Sequence, residues 1–342
     1  MRRRHWFALL VAVSLLTAAC GNDGDGDAGG ATADGGGGEG LTPVTFRLDW
    51  IVDGSHTCFF AADSQGFFRD EGIDVEILEG AGSGTAATLV ANGSNDFGFS
   101  DAGVVASTIN DGASIKLVMD IFQRNPSVII SLKEANITGP EDLVGKSVGA
   151  TSGEAPLQLL PAYLGANGVD ADQVDVINID PAAKISALLQ GRVDAIVGYS
   201  SSDLPIAEGE APGQLNVQHY ADFGVVTMSN GIITSNEMVS DNPDLVEGFV
   251  RAVQLGFEYC QEDPGGAVDL LVDRFPQTVN PDQATIALQE VLNNLYTDRS
   301  EGQPIGYIDE EDWNETVQNL QEFAGLTEAQ EPSVYYTNDF IE

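Results

Sequence analysis

Within eight residues the chain sets out an acid, an indole, a second acid and an imidazole: Asp49, Trp50, Asp53 and His56. An indole offers a flat apolar face, a carboxylate accepts hydrogen bonds, and an imidazole gives or takes one. Side chains of these types, this close together, can grip a small, flat, polar molecule. They can equally well do no more than pack a loop, and this stretch alone leaves both readings open.

The elements around them say where the loop lies. Val44, Phe46 and Leu48 alternate with Thr45, Arg47 and Asp49, the period of a strand, and the residues after the loop form a helix ending near Gly66. In an open α/β sheet a strand-to-helix loop lies at the carboxyl edge, where ligands bind.

Other candidates stand at similar junctions. Gly82-Ser83-Gly84-Thr85 is a glycine-rich helix start whose backbone N–H groups can hold a polar or anionic group. Ser100-Asp101 follows a short strand, and Asp101 would bind ligand or cap the next helix. Gln123, with Asn125, follows the strand Ile115 to Ile121. Farther on, Thr151-Ser152-Gly153-Glu154 opens a helix. A carboxylate at Glu154 repels an anion and suits N–H donors, unless it is a solvated first-turn acid favoured by the helix dipole. Tyr199 can stack and hydrogen-bond at once. Phe223 and Met228 either wall a cleft or fill the core. No Ser/His/Asp or paired-carboxylate arrangement is evident, and no Cys/His spacing suggests zinc, so neither a metal nor a cofactor is expected.

Strands and helices alternate, the mark of mainly parallel sheets flanked by helices. Ile73–Leu78, Phe97–Ser100, Ile115–Ile121 and Ser127–Leu132 read as strands of one block; Lys146–Ala150, Val174–Asn178 and Val193–Gly198 read as strands of a second. Asp180-Pro181 is expected to cap a helix with Ile185, Leu188 and Leu189 apolar, and Ser229-Asn230-Gly231 reads as a turn. From Asn242 the chain is expected to be helical, with Asn242-Pro243, Asp263-Pro264 and Asn280-Pro281 as helix starts. Two α/β lobes follow: residues 43–132 with 234–342, and residues 133–233. The chain would cross near Leu132 and Ile233, with a ligand enclosed between the lobes.

The N-terminal residues carry different signals. Arg2, Arg3 and Arg4 precede an apolar run, Trp6 to Ala19, that ends in Leu16-Thr17-Ala18-Ala19-Cys20. Residues 1–20 read as a signal peptide with a lipobox, Cys20 being lipidated, and residues 21–42 as a flexible Gly/Asp-rich tether. Loss of the signal leaves 11 basic residues of the 14, against 53 acidic ones, a net charge of −42. That excess excludes nucleic acid and adhesion to anionic lipid through a basic patch. Cys58 and Cys260 remain in an oxidising compartment. Because Cys260 continues the apolar stripe Val246, Phe249, Val250, Val253 and Phe257, a buried free thiol is expected there in preference to a disulfide.

The run Leu48-Asp49-Trp50 with His56, followed by Phe60 to Val75 (FAADSQGFFRDEGIDV), resembles the start of the substrate-binding proteins of ABC importers. The group it resembles is the nitrate, sulfonate and thiamine-pyrimidine-precursor family. Asn92–Gly98, Gly139–Gly149, Leu188–Ala195 and Asn242–Val246 are similar to further motifs of that family, in the same order. The resemblance implies a two-lobed periplasmic-binding-protein-like fold of type II. It also implies a lipid-anchored monomer at the extracytoplasmic face of the membrane, delivering a small molecule to the transmembrane subunits of an ABC permease. Leu-Asp-Trp followed by a histidine looks most like the pyrimidine-precursor branch. Riboflavin and sulfonate, nitrate or taurine binding stay open. The protein is not expected to be an enzyme, although fungal relatives of this branch make the pyrimidine by consuming their own histidine. Those relatives carry a cysteine-rich, iron-associated motif that the isolated Cys58 and Cys260 do not supply. Trp50 and Glu154 are expected to face one another across the cleft.

Overall fold

The computed structural model describes residues 40–342, so Cys20, the signal and most of the tether lie outside the described residues. The chain begins with β1 (Thr42–Arg47), α1 (Thr57–Gln65), α2 (Phe67–Asp70), β2 (Ile73–Leu78), α3 (Ser83–Ala91), β3 (Phe97–Asp101), α4 (Ala102–Asn110) and β4 (Ile115–Asp120). A second series follows: β5 (Ser127–Leu132), β6 (Ser147–Ala150), α5 (Ala155–Ala166), β7 (Asp175–Asn178), α6 (Lys184–Leu189), β8 (Ala195–Tyr199), α7 (Asp203–Glu210) and β9 (Leu215–His219). It ends with β10 (Asn230–Ser235), α8 (Asn236–Asp241), α9 (Pro243–Glu262), α10 (Pro264–Arg274), α11 (Pro281–Asn293), α12 (Glu310–Phe323) and α13 (Pro332–Tyr335).

Two five-stranded sheets result, in the orders β2-β1-β3-β10-β4 and β7-β6-β8-β5-β9. The two orders are one plan used twice. In each sheet a parallel trio carries a single reversed strand beside it, β10 against β3 and β4, β5 against β8 and β9. Both reversed strands are those the chain makes just after crossing from one sheet to the other. The sheets are therefore mainly parallel, as expected, with one antiparallel insertion each.

Three expectations are corrected. β5 lies in the second sheet, so the first crossing falls at residues 121–126 and not at Leu132; the return falls at residues 220–229. Ser127–Leu132 is apolar enough for either core, and only its pairing with β8 and β9 decides. Asn230 and Gly231 belong to β10, inside the sheet, because Gly231 lies opposite Ser100 and Asp120 and the turn-forming residue types are overridden by pairing on both sides. β9 gave no clear sequence signal. The crossing segments are bonded to one another, Asn125 N–H to Thr227 O at 3.0 Å and Ser229 N–H to Phe122 O at 2.8 Å.

The third correction concerns sulfur. Cys58 and Cys260 form a disulfide, with Cα atoms 5.8 Å apart. The stripe on α9 is buried as its spacing requires, but α1 packs along it and brings Cys58 to the same level. A helix's own period shows which face is buried, not what it meets. Around this pair Phe46, Phe59, Phe97, Phe99, Phe249 and Phe257 form an aromatic core, Phe97 stacked on Phe249 with centroids 3.9 Å apart. Each such side chain contributes about 1.5–3 kcal/mol through burial. Among the described residues, no helix is long and apolar enough to cross a membrane.

Of the three expected Pro-containing helix starts, Asp263 and Asn280 cap through their side chains, while Asn242 caps without one. Asp180 likewise makes no side-chain cap.

Candidate functional site

In both sheets the strand order reverses at one place, between β1 and β3 and between β6 and β8. Loops leave these switch points at the carboxyl edge, where α/β sheets bind ligands. The two edges meet. Gly84 N–H donates to Gly153 O at 2.8 Å, and Ser202 Oγ–H donates to Asp53 Oδ2. Gly82 has φ 122°, and a Cβ there would come within 2.6 Å of Gly153 C, so this junction requires glycine.

Between the edges lies a cavity of about 20 Å³. Asp49, Trp50, Gly82 and Ser83 line it from the first half, Glu154, Tyr199, Ser202 and Asp203 from the second. Trp50 and Glu154, both expected at the cleft, thus share one cavity. Three of its lining residues are carboxylates, and none is lysine or arginine.

Below the cavity each carboxylate is satisfied differently. Asp49 Oδ1 pairs with His56 Nε2 at 2.9 Å, and its Oδ2 accepts from Asn230 Nδ2 at 2.7 Å. His56 Nδ1 accepts from Asp53 N–H at 3.3 Å, so Nε2 is the nitrogen that donates to Asp49. Burial pulls the imidazole down, but the Asp49 hydrogen bond and the charges of Asp53, Asp49 and Glu79 raise it above its usual value. His56 is fully buried and does not line the cavity; it orients Asp49. Tyr199 OH donates to Asn230 Oδ1 at 2.8 Å, tying the halves together behind the cavity, and burial pushes its phenol far up.

Glu154 Oε1 accepts from Thr151 N–H at 2.6 Å, and its Oε2 from Lys184 Nζ at 2.7 Å. Lys184 also reaches Asp203 at 3.1 Å, and its Nζ lies 4.5 Å from the centre of the Trp50 ring. Burial pulls this ammonium down and the two carboxylates more than reverse that. Burial pushes Glu154 and Asp203 above the carboxylate range, Lys184 holding each back in part.

Asp101, Ser100, Gly84, Ser152 and Gln123 lie off the cavity. Asp101 caps α4, Oδ1 accepting from Gly103 and Val104 N–H, while Oδ2 accepts from Ser229 Oγ at 2.8 Å and Asn125 Nδ2 at 3.2 Å. Burial raises it to about 6. Ser100 Oγ donates to Ser83 O, Ser152 bonds Asn178 at the surface, and Gln123 is held by Tyr307 and Ser300. Gly82 N–H donates to Asp49 O, and Gly84 N–H is spent on Gly153, so two donors of the glycine-rich start are already used. Phe223 packs on Tyr163, and Met228 lines a crevice of about 590 Å³ behind the crossing segments. That crevice is larger, but Gln123, Asn125 and Thr316 in its lining are bonded within the protein, and its two arginines, Arg124 and Arg299, are paired with Asp298 and with Asp312 and Glu315.

Sequence reasoning missed Lys184, Asp203 and Asn230. One signal was there to find: Lys184 and Leu188 are four apart in one turn-spacing, so the lysine falls on a buried helix face. Among the described residues there is no His/Cys/Asp/Glu cluster fit for a metal ion.

A family model described as NMT1/THI5 like matches residues 53–267. A formylaminopyrimidine-binding protein of Halalkalibacterium halodurans is 26% identical over 288 residues, 82% of this chain and 84% of that one. A 4-amino-5-hydroxymethyl-2-methylpyrimidine phosphate synthase of Legionella pneumophila is 27% identical over 241 residues, 70% of this chain and 75% of that one. The solved alkanesulfonate-binding protein of Xanthomonas axonopodis pv. citri, bound to MOPS, superposes with a TM-score of 0.68 at 14% identity, covering 87% of this chain and 99% of that one.

Proposed function

The chain belongs to the NMT1/THI5-like family, and on that premise we propose that it is an extracytoplasmic solute-binding protein for a flat, N–H-bearing heterocycle. The thiamine pyrimidine precursor or a close analogue is the ligand, handed on to an ABC permease. The observation that carries this is the acidic cavity beneath Trp50: Asp49, Glu154 and Asp203 line it, with no basic residue among the lining side chains. An amino-heterocycle can stack on the indole, worth about 1 kcal/mol beyond area burial. Its N–H groups can donate to carboxylates, each such bond worth about 1.5–3 kcal/mol. A sulfonate or nitrate would meet these carboxylates instead, the one nearby ammonium, Lys184, being already paired with Glu154 and Asp203. Lipidation at Cys20 with the tether behind it would keep a monomeric body beside the permease. The segments 121–126 and 220–229 supply the hinge about which the halves part to admit ligand.

The Legionella relative's name favours a catalytic alternative, but His56, the histidine nearest the cavity, is buried behind Asp49 and held at both nitrogens. Calorimetry against 4-amino-5-hydroxymethyl-2-methylpyrimidine, riboflavin and taurine tests the reading. The pyrimidine should bind and be recovered unchanged. Tighter binding of taurine would replace this reading with the anion-carrier one, and tighter binding of riboflavin with a flavin carrier.

A further inference from the structure

Lys184 has no exposed side-chain surface, yet its ammonium sits against three residues that line the cavity, Trp50, Glu154 and Asp203. Its helix, α6, packs Ile185 and Leu188 into the apolar core of the second sheet. Its ammonium lies between Glu154 and Asp203 and over the Trp50 ring of the first half. A cation over an indole face, bracketed by carboxylates, is how an aminated heterocycle would be held.

The space points the same way. A cavity of about 20 Å³ holds roughly one water. The halves already touch at Gly84 and Gly153 and at Asp53 and Ser202. A six-membered ring laid on Trp50 with these contacts kept would have to take the volume that the lysine head fills.

We infer that Lys184 is a built-in occupant of the ligand cleft: in the closed molecule its ammonium holds the place on Trp50, between Glu154 and Asp203, that the N–H-bearing edge of the ligand takes on binding. The ligand must therefore replace an ammonium. A cation, or a neutral ring with N–H groups aimed at both carboxylates, can do so; an anion leaves both acids unpaired. Specificity then comes from a difference of affinities, since every ligand competes with the same internal cation. The lysine also lets the halves close without ligand, so part of the ligand's binding energy goes into displacing it.

This deepens the heterocycle reading and rests on it for the probe, so the experiment has one arm without ligand. Small-angle scattering on Lys184→Ala, ligand-free, should show a larger radius of gyration than wild type. Tens of millimolar ethylammonium chloride should restore the smaller radius, and sodium chloride at equal strength should not. By calorimetry, Lys184→Ala should bind 4-amino-5-hydroxymethyl-2-methylpyrimidine at least about fivefold more tightly, the internal competitor being gone. An unchanged ligand-free radius overturns the inference. So does weaker or equal pyrimidine binding, which would make Lys184 a donor to the ligand or a bystander. If neither protein binds the pyrimidine, the heterocycle reading fails, and the radius with its ethylammonium response still decides whether Lys184 fills the cleft. Should Lys184→Ala not fold, Lys184→Met/Asp203→Asn, which removes the cation with one of its acids, carries the radius and affinity measurements.

Discussion

The two halves of the cleft are built on the same strand order and hold their carboxylates in opposite ways. In the first half Asp49 and Asp101 are fixed by short donors: an imidazole, two asparagines, one serine hydroxyl and backbone N–H groups. None of these can leave without stranding a buried acid. In the second half Glu154 and Asp203 share one long, flexible lysine. Short rigid donors preorganise a surface, whereas a four-carbon stem can swing away. The cleft thus has a fixed wall, with Trp50 as its platform, and an adjustable one.

The largest effect should come from the covalent support of the fixed wall. Cys58 follows His56 by two residues, and its disulfide to Cys260 spans 202 positions. Cys58→Ala/Cys260→Ala should lower stability by about 2–5 kcal/mol. Denaturant melts with and without reductant check this, and equal midpoints would show that the wall stands without the bond.

Next is the adjustable wall. Glu154→Gln should cost an aminopyrimidine about 2 kcal/mol of affinity in a Lys184→Ala background, where nothing else competes for the carboxylate. In the wild type the loss should be smaller, because the internal ammonium loses its partner too. A double-mutant cycle by calorimetry reads the difference. Equal losses would erase the distinction between the halves.

The fixed wall should also make stability depend on pH. Asp101 is raised by burial to about 6, burial and the charges of Asp101 and Asp312 push Asp120 well up, and His56 is raised as well. All three bind protons more tightly folded than unfolded, so stability falls as pH rises. The Asp101 part is complete below about 3.8 and lost as pH climbs through about 6, leaving roughly 1.4 kcal/mol to disappear between pH 5 and 8. The His56 part is complete below about 6.5 and lost through its higher folded value. Asp101→Asn should flatten the lower portion of a stability-against-pH curve. A curve that rises from pH 5 to 8 would contradict this account. Smallest is the platform itself: Trp50→Leu keeps an apolar surface and should lose about 1 kcal/mol of ligand affinity, the stacking part alone.

Much of the fold was legible because its causes are local. The alternation of Ile73–Leu78, the caps at Asp263 and Asn280 and the amphipathic stripe of α9 each depend on residues a few positions apart. Trp50 and Glu154 could be placed for the same reason: each ends a strand-to-helix loop, and such loops gather at one edge. Asp101 was legible in chemistry but not in use, since a strand-end aspartate caps or binds with the same oxygens, and here Gly103 and Val104 claim one of them.

The chain's own order of residues determined where strands and helices form, which faces are apolar, and that acids and an indole stand at loop positions able to meet a ligand. Tertiary structure alone decided three things. It placed β5 in the second sheet, it paired Cys58 with Cys260 across 202 positions, and it chose Lys184 as the cation for Glu154 and Asp203. The reason is common to all three. A period or a cap is set by neighbours along the chain, while a partner in a sheet, a disulfide or a buried ion pair is set by which surfaces close on one another. Only the folded core brings those surfaces together.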